Sequence, residues 1–172
     1  MMITWLRSLI TFLGFIIIGV VITPIMLLFS LPFWGRPFHA IVRVWCKMNL
    51  GWLRIAAGVK YRVLGEENLQ HLEKKPHLLL SNHQSTFETY LYSILLPPHS
   101  FVLKKQLLYI PFFGWGLAKT KPISIDREAG RAALKKMVSQ AQGGFQIDRS
   151  VMIFPEGTRA NPDQKVPYKK GA

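Results

Sequence analysis

His77-Leu78-Leu79-Leu80-Ser81-Asn82-His83-Gln84-Ser85-Thr86-Phe87-Glu88 runs from a short apolar segment through a polar turn. A short apolar run bounded by polar residues reads as a strand, and Tyr90, Leu91, Ile94 and Leu95 then restart at helical spacing. A strand that passes through a loop into a helix is the repeating unit of α/β domains. His83 therefore falls at the carboxyl end of a strand, where such sheets place their ligands.

Outward from this unit the same alternation continues. Residues 61–64, 100–103, 122–125 and 151–154 are short apolar runs bounded by Gly, Pro, Asn or charge, and each predicts a strand. Between the last two, residues 128–142 predict a helix with Ala133, Leu134, Met137, Val138 and Ala141 on one face, and Gly143-Gly144 as its stop.

Upstream the chain is different. No ionisable side chain lies between Arg7 and Arg36, and residues 9–33 are almost wholly aliphatic or aromatic. That exceeds the ~20 residues needed to cross a bilayer. Two arrangements fit: a hairpin bent at Pro24, or one tilted span kinked there. Residues 38–59 stay apolar with scattered basic residues and predict a second helix at the lipid–water interface. The division is thus 1–59 as membrane-anchoring helices and 60–172 as an α/β domain.

Lys and Arg number 22 against 9 Asp and Glu in 172 residues, for a formal charge of +13. Such a protein meets anionic partners, and the apolar N-terminal segment points to anionic lipid; nucleic acid is not expected. Cys46 has no second cysteine to pair with and reads as a buried, inert thiol. No metal-ligand spacing is present in the sequence.

His83 and Glu88 are five residues apart, about 140° on one ideal helix, so they meet only if His83 is in the loop and Glu88 in the first helical turn. Ser85-Thr86-Phe87-Glu88 equally matches a capping box, in which Glu88 binds the backbone of Ser85. The two roles are expected to compete for one rotamer of Glu88. In a second block, Pro155 ends a strand, and Glu156-Gly157-Thr158-Arg159 supplies a hydroxyl, a flexible backbone and a guanidinium suited to phosphate. An ordinary turn closed by a surface ion pair would read the same. Ile125-Asp126-Arg127 forms a third block, although Asp126 is also a natural helix N-cap.

Taken in order, Asn82-His83 with Glu88, Ile125-Asp126-Arg127 and Phe154-Pro155-Glu156-Gly157-Thr158-Arg159 resemble the glycerolipid acyltransferase family, specifically its bacterial 1-acyl-sn-glycerol-3-phosphate acyltransferases. The likeness extends to Val102-Leu103-Lys104-Lys105-Gln106-Leu107 and Ile110-Pro111-Phe112-Phe113-Gly114. Gln106 departs from the family's usual Glu. The family's later proline-spaced apolar strand is not found, so a continuation of the domain beyond Ala172 is expected.

The resemblance implies an α/β fold with a glycerolipid-acyltransferase-like mixed sheet and flanking helices, preceded by a two-helix membrane element. It implies transfer of a fatty acyl group from acyl-CoA or acyl-carrier protein to the sn-2 hydroxyl of lysophosphatidic acid, giving phosphatidic acid. No bound cofactor is implied, since the thioester is a substrate. His83 would be the general base and Glu88 would orient it. Arg159, Thr158, Gly157, Glu156, Arg127 and Lys104 would surround the phosphate. A covalent route through Ser81 or Ser85 is chemically open, but a hydroxyl acceptor can attack directly. The implied partners are lysophosphatidic acid, anionic membrane lipid and acyl-carrier protein, and the implied location is the bacterial inner membrane with the site on its cytoplasmic side. The alternatives are acylation of another lysophospholipid or of glycerol 3-phosphate, and a catalytically inactive, membrane-anchored anion-binding fragment.

Overall fold

The computed structural model describes residues 2–126, 130–161, 163 and 166–169. Helix α1 (Met2–Ile17) continues through a π-type turn (Ile18–Ile22) into α2 (Thr23–Phe29), so 28 residues form one helical rod. The helix runs on through Pro24, so the chain does not turn back there as a hairpin. The wider π turn accommodates the missing proline N–H, and Thr23 Oγ1 donates to the Ile18 carbonyl at 2.8 Å.

Helix α3 (Gly35–Ala57) folds back antiparallel on this rod. Arg7 Nε donates to the Ala56 carbonyl at 3.1 Å, Trp52 Nε1 to the Thr11 carbonyl at 3.1 Å, and Trp45 Nε1 to Thr23 Oγ1 at 2.9 Å. Gly14 is required at the crossing, because a Cβ there would lie 2.0 Å from the Trp52 ring. Gly58, at φ +74, terminates α3 in the left-handed conformation.

Four strands follow: β1 (Leu78–Leu80), β2 (His99–Lys104), β3 (Ile123–Ile125) and β4 (Ser150–Ile153). They lie in the order β1-β4-β2-β3, and all three pairings are parallel. The α/β class with flanking helices is as expected, while the sheet, expected mixed, is parallel among the described residues. Residues 61–64, expected as a strand, pair with none of these; Tyr61 instead sets its ring edge-on against Phe87 at 5.4 Å.

Strand β4 shows how the layers are specified. Val151 and Ile153 face α6 (Gly130–Phe145) and pack with Ile123 and Met137. Met152 points the other way and packs with Leu96, at the end of α4 (Phe87–Leu95), and with Leu72 of a 3₁₀ helix (Glu66–Glu73). This is the period-2 alternation of a central strand covered on both faces. The α6 helix runs through Gly143 and Gly144, where a stop was expected, and reaches Phe145. Phe145 joins the Ile123–Val151 cluster, and that burial outweighs the ~1 kcal/mol helix penalty of each glycine.

Helix α3 also carries α4, joining the helical hairpin to the sheet. Trp45 meets Tyr90 edge-on at 5.4 Å, and Arg43 Nη2 donates to the Leu96 carbonyl at 3.0 Å. Cys46 is buried in this seam, and burial pushes its thiol up to about 12, against a hydrogen bond from Ser93 that lowers it. Burial, as expected, favours the protonated and unreactive thiol. Helix α5 (Phe113–Lys119) packs on α2, where Lys119 Nζ donates to the Ser30 carbonyl at 2.6 Å.

Candidate functional site

Parallel pairing puts the carboxyl ends of all four strands at one edge of the sheet, and the loops that leave β1 and β4 are neighbours there. The chain leaves β1 through Ser81, whose N–H donates to the Ile153 carbonyl at 3.2 Å, and enters the loop that holds His83. Helix α4 begins at Phe87, so Glu88 is in its first turn and reaches back to the loop.

His83 Nδ1 lies 3.0 Å from Glu88 Oε1. The same oxygen accepts the Gln84 N–H at 2.5 Å and the Ser85 N–H at 2.7 Å, while Oε2 accepts the Ser85 hydroxyl at 2.6 Å. Capping and histidine pairing therefore coexist on one rotamer, contrary to the expectation that they compete. The physical reason is that the His83–Ser85 turn curls around the carboxylate, so three donors converge on one oxygen from different directions. Burial pushes the Glu88 carboxyl up, but hydrogen bonds from the Ser85 side chain and from the N–H groups of Ser85, Glu88 and Gln84 outweigh it and hold the group below its ordinary range. An ionised acceptor fixes Nδ1 as the protonated nitrogen, leaving the Nε2 lone pair to take a proton. Among the described residues no hydrogen bond occupies Nε2, and the ring keeps 18 % exposure.

The loop after β4 builds the other half. Phe154 stacks on the His83 ring at 4.2 Å and 20°. Glu156, 4 % exposed, accepts the His83 N–H at 3.3 Å through Oε1, and the Ala160 N–H donates to the His83 carbonyl at 2.8 Å. Both peptide groups of the histidine are thus held by one loop, which turns at Gly157 with φ +67. Arg159 Nη2 donates to Thr86 Oγ1 at 2.7 Å, placing the guanidinium at the start of α4; Thr158 is exposed beside it.

The structure therefore brings His83, Glu88, Glu156, Gly157, Thr158 and Arg159 together. Lys104, exposed at the end of β2, is on the same edge but beyond β4, roughly 10 Å from β1 at the usual strand spacing. Arg127 lies outside the described residues, just after Asp126 at the end of β3. Ser81 Oγ is engaged with Tyr92 Oη at 2.5 Å and Ser85 Oγ with Glu88, so neither is poised as a nucleophile. Among the described residues no group of three or more His, Cys, Asp or Glu side chains could hold a metal.

Residues 60–172 match the family model described as Acyltransferase. The chain belongs to the acyltransferase family. The chain is 43 % identical over 141 residues to the 1-acyl-sn-glycerol-3-phosphate acyltransferase of Pseudomonas aeruginosa, an alignment covering 82 % of the chain and 53 % of the relative. It is 34 % identical over 123 residues to the Saccharomyces cerevisiae protein of the same name, covering 70 % of the chain and 40 % of the relative. The chain thus spans about half the length of the curated relatives it matches. Its fold is similar to that of PlsC, the 1-acyl-sn-glycerophosphate acyltransferase from Thermotoga maritima, with a TM-score of 0.70 at 24 % identity over 97 % of this chain and 66 % of that one.

Three contributors to the site were not read from the sequence. Thr86 anchors Arg159, and Phe154 supports the imidazole. Tyr168 Oη meets Asn82 Oδ1 at 3.2 Å, and the neighbouring Lys169 N–H donates to the Pro155 carbonyl at 2.9 Å, so residues 168 and 169 strap the two loops together. Phe154 carried a signal in its place within the six-residue block; Thr86 and Tyr168 carried none, because their partners are 73 and 86 residues away.

Proposed function

We propose that this chain provides the catalytic site of an O-acyltransferase that moves a fatty acyl group from acyl-CoA or acyl-carrier protein to the sn-2 hydroxyl of lysophosphatidic acid, forming phosphatidic acid. The observation that carries the reading is the His83 Nδ1–Glu88 Oε1 contact beside the loop that presents Arg159. His83 Nε2 takes the hydroxyl proton as the alcohol oxygen attacks the thioester carbonyl carbon. The tetrahedral intermediate collapses, the C–S bond breaks, and the imidazolium returns the proton to the departing thiolate. Glu88 stabilises the imidazolium between these steps. Arg159, with Thr158 and the Gly157 backbone, holds the acceptor's phosphate, and Lys104 and Arg127 add positive charge from the neighbouring strands. The thioester is consumed as substrate, and no bound cofactor takes part.

Lysophosphatidic acid resides in the bilayer, so the site must approach one. The antiparallel contacts between α1–α2 and α3, together with the α4 face carried by α3, favour a hairpin lying along one leaflet. If the rod stood across the membrane, Arg43, Lys47 and the sheet packed behind them would enter hydrocarbon. Residues 1–59 are thus an in-plane anchor, on the cytoplasmic face of a bacterial inner membrane where thioester donors are made. Its lack of acidic residues suits anionic lipid, and the basic surface suits acidic carrier protein.

His83→Ala tests the reading. Acyl transfer to lysophosphatidic acid is expected to fall to background while flotation with vesicles is unchanged; a His83→Ala enzyme with substantial turnover would refute it.

A further inference from the structure

Ile110-Pro111-Phe112-Phe113-Gly114 takes no part in the chemistry at the sheet edge, yet the segment around it is unusual. Tyr109 is 65 % and Trp115 55 % exposed, with Leu107, Ile110 and Phe112 also on the surface. These large exposed side chains crowd into nine residues of sequence, a density that singly scattered surface apolar residues do not reach. Phe112 has φ +60, a conformation bulky residues seldom adopt, and its ring meets Trp115 edge-on at 5.1 Å. Gly114 allows the tight turn behind them, since a Cβ there would lie 2.4 Å from the Leu108 carbonyl oxygen.

The patch is fastened to the apolar rod. Gly116 faces Leu27, and Lys119 reaches the Ser30 carbonyl while its ammonium sits 4.7 Å from the Trp34 and Phe38 ring centroids. Leu28, Phe29, Phe33 and Trp34, which follow Leu27, are exposed apolar residues too, and the Lys119–Trp34 contact joins this stretch to α5. Charge points the same way: no Asp or Glu occurs before Glu66 or between Glu88 and Asp126, while Lys104, Lys105, Lys119 and Lys121 flank the patch. Exposed Tyr and Trp bordered by lysines, with carboxylates absent, match the headgroup layer of an anionic bilayer.

We infer that residues 107–115 form a second membrane-docking surface, which inserts into the interfacial layer of a bilayer containing anionic phospholipid. The inference rests on the in-plane hairpin under Proposed function and goes beyond it by giving the α/β domain its own lipid contact. Two contacts on different elements fix the domain's tilt, which one helical anchor leaves free to roll.

Cys46 is buried, so single added cysteines can be labelled selectively in the full chain. An environment-sensitive fluorophore is placed at Ile110→Cys, at Ile17→Cys on the exposed side of α1, and at Lys136→Cys on α6. Each variant is reconstituted with phosphatidylethanolamine–phosphatidylglycerol vesicles carrying nitroxide-labelled lipid. Quenching is expected at positions 110 and 17 and not at 136. Quenching at 17 without 110 overturns the inference and leaves the anchor standing; quenching at neither overturns both. In the double variant Ile110→Glu/Trp115→Glu, vesicle partitioning is expected to weaken by about fivefold or more. Turnover of a soluble short-chain lysophosphatidate is expected to stay at the parent level. Equal loss on soluble and vesicle-borne acceptor would assign the patch a packing role and overturn the inference.

Discussion

Glu88→Gln separates two jobs that one carboxylate performs. The amide keeps an oxygen able to accept from His83 Nδ1, Gln84 N–H and Ser85 N–H, and its NH₂ can donate to Ser85 Oγ in place of the bond that Oε2 accepts. Geometry and the helix start are therefore retained, and the negative charge is lost. In the proposed mechanism that charge stabilises an imidazolium whose Nδ1 is 3.0 Å away. With the charge centres at ~4 Å and an effective dielectric of ~20, the interaction is about 4 kcal/mol, and water at this half-buried pair reduces it. A loss of about 2–4 kcal/mol in the transition state corresponds to a fall in kcat of roughly 30- to 1000-fold. The assay is steady-state acyl transfer with both substrates varied, alongside thermal unfolding of the same preparations. The expected result is the fall in kcat with little change in Tm. A kcat within about threefold of the parent, at unchanged Tm, would refute the argument and leave Glu88 as a helix cap alone.

Three further outcomes follow from the same geometry. Arg159→Ala should raise KM for lysophosphatidic acid by about tenfold or more, the size of a lost charge-assisted phosphate contact, with a smaller change in kcat; an unchanged KM would remove Arg159 from the phosphate site. Phe154→Leu keeps apolar volume but loses the 4.2 Å stack on His83, so kcat should drop by about fivefold while the fold persists, checked by kinetics and near-UV circular dichroism. Away from the site, His39 and His99 face each other in a T-shaped contact at 6.0 Å with Arg43 and Arg149 nearby. Burial, reinforced by these cationic neighbours, lowers both histidines to about 4. Unfolding lets them bind protons, so the unfolded state holds more protons between about pH 6.5 and 4. Stability present above that window should be lost as pH falls through it, seen as a declining Tm in detergent, and His99→Gln should flatten the decline.

What was legible in the sequence followed from local periodicity. Strands β1 to β4 fall within a residue or so of their apolar runs, and α3 matches its amphipathic stretch, because burial on both faces of a sheet or one face of a helix leaves a direct imprint on residue order. Gly143-Gly144 misled because Phe145, just beyond, has a place in the core that local propensity does not register. Residues 61–64 carried a strand pattern without a described strand to pair with. At the site, His83 and Glu88 were legible as a loop residue and a first-turn residue. Their sharing of Glu88 Oε1 with two backbone donors was not, since it depends on the curl of the turn. Nor could sequence show that Glu156 and Ala160 hold the backbone of His83, a contact made across the β1–β4 pairing.

That last contact bears on how the protein is made. The ribosome delivers the apolar rod, the His83 loop and Glu88 first, and Phe154, Glu156 and Ala160, which hold His83 from the β4 side, emerge only with the last stretch of the chain. Until β4 slots between β1 and β2, the histidine has neither its aromatic backing nor the acceptor for its N–H. A nascent chain thus displays its apolar N-terminal rod long before the His83 loop is held in place. Synthesis aborted before residue 150 would leave the His83 loop without the ring, the carboxylate and the backbone donor that hold it.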